Sequence, residues 1–540
     1  MELLRKIRGQ SGWIILSMVF LVALGRVFFL DARQAPSGKK IIKISHWQME
    51  AGVREALDDA AREYQKLHPD VEIQQIIVGG SNYVSWITTR LIGGAAPDII
   101  ALGNMDRGLM LELFQRYFVP LSGEIGKPNP YNAGTSLEGV PWKATYYDDM
   151  LGGYMPELIE YYQVPESAFT MRLFYNKTKF REATGLDAPP SDFRAFLGAC
   201  QQIKEYGRAH GEALVPIANA GKYNAKFIWS RFDQAVNSTL LPAVDVNLDS
   251  EQGPEESLIA LVGGAVDFRD RRIRAMIEGH DYYNKQCQPA FFAADRMDAA
   301  FLFLQQRALM IASGSWDARS YVKQAEFEVG VCDFPMPARD DPEFGKFVEG
   351  VAVEELLGGF SFGVNRLSPN ADVALDFLKF LSSQRINGKL NEEVQWIPMI
   401  RGNKPVPFIA PFWPHFDGVK AGIQLSTGGL NSQLYDELAN LNAAGRLNYE
   451  GFLKRFLPSF VANGDRWMRQ DRQRSWQLAA NQDEFVRMAE RMKEEQSGQR
   501  GSKADALLEN EVSRRYNAIE LSRRYEEARQ ASPLPKPSEP

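Results

Sequence analysis

Residue types that perform catalysis are present in this chain, but their spacing matches no catalytic motif. The five histidines run from His46 to His415, and no pair stands four residues apart around a glutamate, as in zinc proteases. Ser313 to Trp316 suggests an exposed serine, yet Ser313 and Asp317 stand where a nucleophile elbow needs glycine. The sequence also lacks a G-x-x-x-x-G-K-[ST] phosphate loop. We therefore predict no catalytic residue.

Carboxylate pairs and cysteines give equally little support for an enzyme or a metal site. Pairs such as Asp148-Asp149 and Glu354-Glu355 could form the dyad of a glycosidase, but in a chain with 68 acidic residues they are typical of solvated surface. The three cysteines, Cys200, Cys287 and Cys332, are far apart and have no C-x-x-C spacing, so they predict neither a zinc site nor a disulfide framework. We expect no cofactor and no metal.

Aromatic and amide residues at the predicted strand ends are the more informative pattern. Ligands of open α/β sheets bind beyond the carboxyl ends of the strands. An aromatic ring covers the apolar face of a sugar, while amides and carboxylates bind its hydroxyl groups. For any single tryptophan, a place in the core is the more common outcome. The candidate ligand-binding residues are Trp47, Asn82, Tyr83, Asn104, Trp229 and Trp316.

Strand and helix patterns alternate along the chain and would position these residues. Strand patterns cover 41–44, 71–78, 98–102, 171–175, 309–312, 327–332 and 360–364. Helical spacing follows several of them, at 53–67, 83–92, 191–207 and 373–381, and the chain reads as helical from about residue 430 onward. This alternation predicts βαβ units and a mainly parallel sheet.

The N-terminus and the overall charge restrict location and partners. Arg5, Lys6 and Arg8 precede an apolar run from Trp13 to Gly25, which resumes after Arg26 as far as residue 30. This pattern fits a signal peptide or an uncleaved membrane anchor, and both export the chain from about residue 36. The net charge of -6 argues against nucleic acid as a partner.

Seven short stretches follow one another in a fixed order along the chain. They are LIGGAAPDIIALGNMDRG (91–108), RLFYNKTKF (172–180), APPSDFRAFLGAC (188–200), LQQRALMIASGSWD (304–317), GVCDFPMPARD (330–340), GGFSFGVNRLSPNADVALDFLKFLSSQ (358–384) and ANLNAAGRLNYEGFLK (439–454). In this order they resemble the motifs of family 1 extracellular solute-binding proteins, and the resemblance extends from residue 41 to about 480.

The resemblance implies the type II periplasmic-binding-protein fold, in which two α/β lobes close on a hinge around a ligand cleft. Residues 1–40 are then a signal peptide or membrane anchor plus a linker. Lobe 1 comprises 41–168 and 337–398, and lobe 2 comprises 169–336 and 399–480. Residues 481–540 form a charged helical extension and a disordered tail.

The implied function is capture of a carbohydrate and its delivery to the membrane permease of an ABC importer, without catalysis. The protein is then a monomer in the periplasm or on the outer face of the cytoplasmic membrane. Trp316 stands at the family's sugar-stacking position, and Trp229 aligns with another cleft aromatic. Leu102 and Met105 replace residues that touch maltodextrin in relatives, which argues against that ligand.

Alternatives stay open at this point. A receptor of the same fold could bind a peptide, a polyamine or glycerol phosphate, and an exported glycoside-active enzyme is the least favoured reading. An insertion at 120–165, rich in tyrosine and aspartate, could cover the cleft or decorate the surface.

Overall fold

The computed structural model describes residues 38–103, 105, 107–221, 223–354, 357–495 and 503–534. The predicted signal or anchor segment and the candidate Asn104 therefore lie outside the described residues. None of the described helices is both long enough and apolar enough to cross a membrane.

Strands and helices alternate along much of the chain. The strands are β1 (Lys40–His46), β2 (Val71–Ile77), β3 (Ile99–Leu102), β4 (Tyr154–Met155), β5 (Glu160–Tyr161), β6 (Val164–Phe169), β7 (Met171–Asn176), β8 (Val215–Ala218), β9 (Ala308–Gly314), β10 (Val329–Cys332), β11 (Leu357–Val364) and β12 (Ile397–Pro398). The helices are α1 (Val53–Leu67), α2 (Gly80–Ile92), α3 (Arg107–Tyr117), α4 (Ser122–Ile125), α5 (Lys177–Thr184), α6 (Phe193–Ala209), α7 (Asn224–Asn237), α8 (Leu241–Val244), α9 (Pro254–Gly263), α10 (Arg271–Asn284), α11 (Arg296–Leu304), α12 (Ala318–Gln324), α13 (Ala371–Leu381), α14 (Gln384–Val394), α15 (Gly429–Ala443), α16 (Tyr449–Glu495) and α17 (Lys503–Ala531).

A six-stranded sheet in the order β12-β6-β11-β3-β1-β2 forms the centre of the first lobe, which we call lobe 1. Ile42 and Ile44 alternate with more exposed neighbours along β1 and are almost fully buried. Helix α1 follows with a buried face that includes Val53, Leu57 and Tyr64, as its 3.6-residue spacing predicts. Parallel pairing of β1 with β2 and β3 gathers the carboxyl ends of these strands at one edge.

A four-stranded sheet in the order β10-β7-β9-β8 forms the centre of lobe 2. Strands β8 and β9 are parallel, but β7 runs antiparallel to both β9 and β10. In lobe 1, β11 is likewise antiparallel to β3 and β6. The mainly parallel sheet predicted from the sequence is thus a mixed one, because strands arriving from the other lobe enter each sheet in the reverse direction.

The chain changes sheet between Phe169 and Met171, and one buried arginine joins the segments that cross there. Arg172, 1% exposed, donates to both carboxylate oxygens of Glu354 at 2.7 and 2.8 Å. It also pairs with Asp333 at 2.6 Å and donates to the carbonyls of Pro411 and Trp413. A single guanidinium therefore holds three separate crossing segments together.

Two stretches lie against a different lobe from the one predicted. Phe344, which the predicted boundaries assign to lobe 1, packs on Phe193 and Phe232 of lobe 2 with ring centroids 6.3 and 5.2 Å apart. Ile400, assigned to lobe 2, forms a bridge with Tyr146 of lobe 1. The cause is the path of the connecting segments, which brings each apolar side chain against an aromatic cluster of the other lobe.

The 120–165 insertion is built into lobe 1. Trp142 and Tyr146 are fully buried, and the Trp142 indole donates to Ser382 at 2.9 Å. Tyr162 stacks on Phe114 with ring centroids 5.1 Å apart. These residues extend the lobe 1 core, because their aromatic rings pack on α3 and α13.

Glu166 on β6 is a fully buried carboxyl group in lobe 1. Burial raises its pKa well above the ordinary value of 4.5, although the Asn387 amide donates to it at 3.2 Å. Its Oε1 atom has no hydrogen-bond partner among the described residues. The folded protein therefore holds this group protonated at pH values at which the unfolded chain has released the proton.

We expect Glu166→Gln to change how stability depends on pH. Because the pKa of Glu166 is higher in the folded protein than in the unfolded chain, its contribution to stability is fully present below about pH 4.5. Between the unfolded and the folded pKa, the free energy of unfolding falls by about 1.4 kcal/mol for each unit of rising pH. Glutamine cannot ionise, so the variant should match wild type near pH 4 and exceed its stability at pH 8. Urea unfolding at both pH values measures this, and a constant difference would contradict it.

Candidate functional site

Two tryptophans, one from each lobe, follow strand ends and lie against glycines. Trp47 follows β1 and is half-buried, and a Cβ placed on Gly103 would come within 2.8 Å of its ring. Trp316 follows β9, and a Cβ on Gly314 would come within 2.3 Å of its ring. Both indoles therefore lie so close to the backbone that a Cβ at these glycines would clash with them, and both side chains are half-buried.

Trp316 belongs to an aromatic group at the point where the chain crosses between the lobes. Its ring meets Phe169, the last residue of β6, edge-on with centroids 5.1 Å apart. Phe227 on α7 lies 6.2 Å away, also edge-on. An aromatic ring stacks on the C–H face of a sugar through its own face.

Charged and polar groups surround this aromatic group. Asp317, 6% exposed, pairs with Arg296 and accepts from the Ser313 hydroxyl. Burial raises the pKa of Tyr223 to about 12, and its hydroxyl is hydrogen-bonded to the Trp316 side chain. Donors and acceptors thus stand at the rim of the ring.

Glu50, in the segment between β1 and α1, brings a lobe 1 carboxylate to these lobe 2 charges. Burial raises the pKa of Glu50, while the positive charge of Arg296 lowers it and the negative charge of Asp317 raises it. Its Oε2 atom is buried without a hydrogen-bond partner among the described residues. The segment after β1 therefore faces the segment after β9 across the contact between the lobes.

Two cavities adjoin the crossing segments. The first has a volume of about 430 Å³, and its wall includes Phe169, Arg231, Gln234, Gln252 and Lys420. The second has a volume of about 580 Å³ and a more apolar wall, which includes Phe334, Met336 and Val351. Arg231 and Glu354 line both, so this ion pair separates the two spaces.

The predicted site residues divide into those beside strand ends and those in the core. Trp316 lies beside Phe169 where the chain crosses between the lobes, Trp47 lies after β1 against Gly103, and Asn82 is exposed in the first turn of α2. Tyr83 is 1% exposed, and its hydroxyl donates to the carbonyls of Ser45 and Ala101. Its ring lies 5.0 Å from that of Trp47, so it supports Trp47 from the core side instead of facing a ligand.

Trp229 also lies in a core, that of lobe 2. It is 7% exposed, stacks on His280 at 5.0 Å, and its indole donates to Asn284 at 3.0 Å. Phe291 and Ala439 complete its surroundings. A direct ligand contact for Trp229 does not fit this placement, because both its ring face and its polar atom are engaged within the lobe.

The sequence patterns missed Glu50, Phe169, Tyr223, Phe227 and Arg296. Their residue types are common, and a nearby residue was chosen as the candidate instead. For example, Trp47 was predicted as a site residue, and Glu50 lies three positions after it. One signal was available: the buried residues of α7 include Ala225, Ile228, Trp229 and Phe232, which leaves Phe227 on the opposite face of the helix.

Residues 48–244 match the family model described as bacterial extracellular solute-binding protein, the family that the sequence motifs resemble. A curated relative, the multiple sugar-binding protein of Streptococcus mutans, is 20% identical over 382 residues, which cover 70% of this chain and 78% of the relative.

Solved structures share the fold. A chitin oligosaccharide binding protein is 15% identical, with a TM-score of 0.53, and the match covers 79% of this chain and 100% of that one. The apo form of RafE from Streptococcus pneumoniae is 17% identical, with a TM-score of 0.53, and covers 78% of this chain and 97% of its own. The predicted type II periplasmic-binding-protein fold is confirmed.

Proposed function

We propose that this chain, which over residues 48–244 has the sequence of a bacterial extracellular solute-binding protein, captures a carbohydrate and passes it to an ABC-type importer. The ligand lies between the lobes, against Trp47 on one side and Trp316 on the other. Asn82, exposed in the first turn of α2, contributes a polar contact.

The placement of Trp316 carries this proposal. Its half-buried ring lies on Gly314 with Phe169 and Phe227 edge-on, and Arg296, Asp317 and Tyr223 stand around it. A sugar needs this combination of a flat apolar surface and a rim of donors and acceptors. The unpartnered Glu50 oxygen offers a further acceptor for a hydroxyl group.

The names of similar proteins support a sugar over other solutes. The curated relative is a multiple sugar-binding protein, and similar solved structures include a chitin oligosaccharide binding protein, RafE in complex with raffinose and a maltose/maltodextrin-binding domain bound to maltotriose.

The protein acts as a binder and not as a catalyst. Asp317 is held by Arg296 and Ser313, and such engagement suits a structural carboxylate better than a general acid or base. Export through the basic and apolar N-terminal segment would bring a monomer to the periplasm or the outer face of the membrane. There the permease of the importer is its partner.

A thermal-shift screen of mono- and oligosaccharides tests the proposal, with peptides, polyamines and glycerol phosphate as the comparison set. A ligand present at 100 times its dissociation constant should stabilise the folded protein by about 2.7 kcal/mol. We expect a sugar to give this shift, with a dissociation constant then measured by calorimetry. Stabilisation by peptides or amines alone would contradict the sugar assignment, and turnover of any glycoside would contradict the binding role.

A further inference from the structure

The C-terminal helix α17 is anchored along lobe 2. Tyr525 and Ala528 are buried where α17 packs on α9, and a Cβ on Gly263 would come within 3.0 Å of Ala528. Pro533, just after the helix, lies against Gly264. This apolar contact is extensive, so the C-terminal half of α17 moves with lobe 2.

The other end of the same helix reaches lobe 1. The Asn510 side-chain amide donates to the carbonyl of Pro156 at 2.8 Å. Pro156 begins the single turn Pro156–Leu158, which belongs to lobe 1 because Leu158 is buried in that lobe's core. One helix thus contacts both lobes.

The helix between these contacts is stiff. From residue 510 to residue 525 an α-helix extends about 22 Å, at about 1.5 Å per residue. Helix α16 lies alongside and is joined to it by Arg515–Asp483 at 2.8 Å and by the Tyr525 hydroxyl on Asp465 at 2.7 Å. Two paired helices resist bending, so the spacing between the two contacts is fixed.

We propose that α17 is a brace that limits how far the two lobes separate, and so regulates access to the cleft. The proposal rests on the proposed function only in so far as the cleft is where ligand enters. Opening of a two-lobed binding protein about its hinge moves the outer surfaces of the lobes relative to each other. A rigid helix fixed to lobe 2 and bonded to lobe 1 opposes that movement.

The two ends of the brace differ in strength. The lobe 2 end buries aromatic and aliphatic side chains, whereas the lobe 1 end has a short contact with one hydrogen bond from a half-buried asparagine. The lobe 1 contact is therefore the one that releases. A single hydrogen bond of ordinary strength changes an equilibrium by about five-fold, so the brace biases the opening without preventing it.

Distances between spin labels on the two lobes test the brace without any ligand. The three native cysteines are replaced by alanine, and nitroxides are attached at Lys66→Cys on α1 and Gln201→Cys on α6. Pulsed electron paramagnetic resonance then measures the distance between the two labels, which reports the separation of the lobes. The variants are Asn510→Ala, a chain ending at Gly498, and the control Arg523→Ala. Arg523 pairs with Glu520 and Glu527 on the same helix and is exposed.

We expect Asn510→Ala to increase the open population about five-fold and removal of α17 to increase it further, while Arg523→Ala matches wild type. Unchanged distances in Asn510→Ala would overturn the brace, because that variant keeps the helix and loses its lobe 1 bond. Because no ligand is used, this result is independent of the sugar screen. A chain that binds no sugar can still show the brace, and a chain that binds a sugar can lack it.

Discussion

Replacing Arg172 with leucine should lower the free energy of unfolding by about 3–5 kcal/mol, the usual effect of removing one partner of a buried ion pair. The side chain is 1% exposed and is bonded to Glu354, Asp333 and two carbonyls. Burial opposes ionisation of Glu354, yet the hydrogen bonds and charge of Arg172 hold its pKa below the usual value. Without Arg172, that carboxylate is left buried with Arg231 as its remaining ion-pair partner.

Urea unfolding followed by circular dichroism measures this loss. Arg274→Leu is the control, because Arg274 pairs with Glu278 and Glu450 at the surface, and the free energy of unfolding should stay close to the wild-type value. The double variant Arg172→Leu/Glu354→Leu should recover only part of the loss, because it removes the buried carboxylate but also takes the ion-pair partner of Arg231. An Arg172→Leu protein as stable as wild type would mean that the three crossing segments do not depend on this guanidinium.

The sequence predicts the helices and strands of this fold better than it predicts which of them pack together. The alternation in β1 and the 3.6-residue spacing of α1 determine which faces are buried, and both elements form where expected. Phe344 shows the limit. Its apolar side chain predicts burial, but burial against Phe193 and Phe232 of lobe 2 depends on the path of a long connection, which local patterns do not encode.

The same limit explains which candidate site residues lie at the contact between the lobes. Trp47, Trp229 and Trp316 share a sequence context of aromatic residues near strand or loop ends, yet Trp229 points into lobe 2 and stacks on His280. The direction of a ring depends on the face of α7 that packs on α10, and this packing is tertiary. Burial of Tyr83 likewise depends on carbonyls contributed by β1 and β3.

Trp316→Ala should weaken binding of the sugar found in the screen by about 30-fold, which corresponds to about 2 kcal/mol. The indole is the largest ring in the aromatic group at the crossing, and it is half-buried beside Phe169 and Phe227. A ligand that stacks on it gains the desolvation of both surfaces, and alanine removes that gain. Trp316→Phe keeps a smaller ring and should lose less.

Trp413→Ala is the control, because Trp413 is also half-buried but contacts Tyr147 and Phe416, with ring centroids 5.3 and 6.3 Å away. Calorimetric titration of all three variants, with melting curves to establish that each is folded, gives the comparison. We expect Trp413→Ala to bind within two-fold of wild type, because its ring lies outside the group around Trp316. Equal affinities for Trp316→Ala and Trp413→Ala would remove Trp316 from the binding site, and the ligand would then have to be sought in the cavity lined by Arg231 and Gln234.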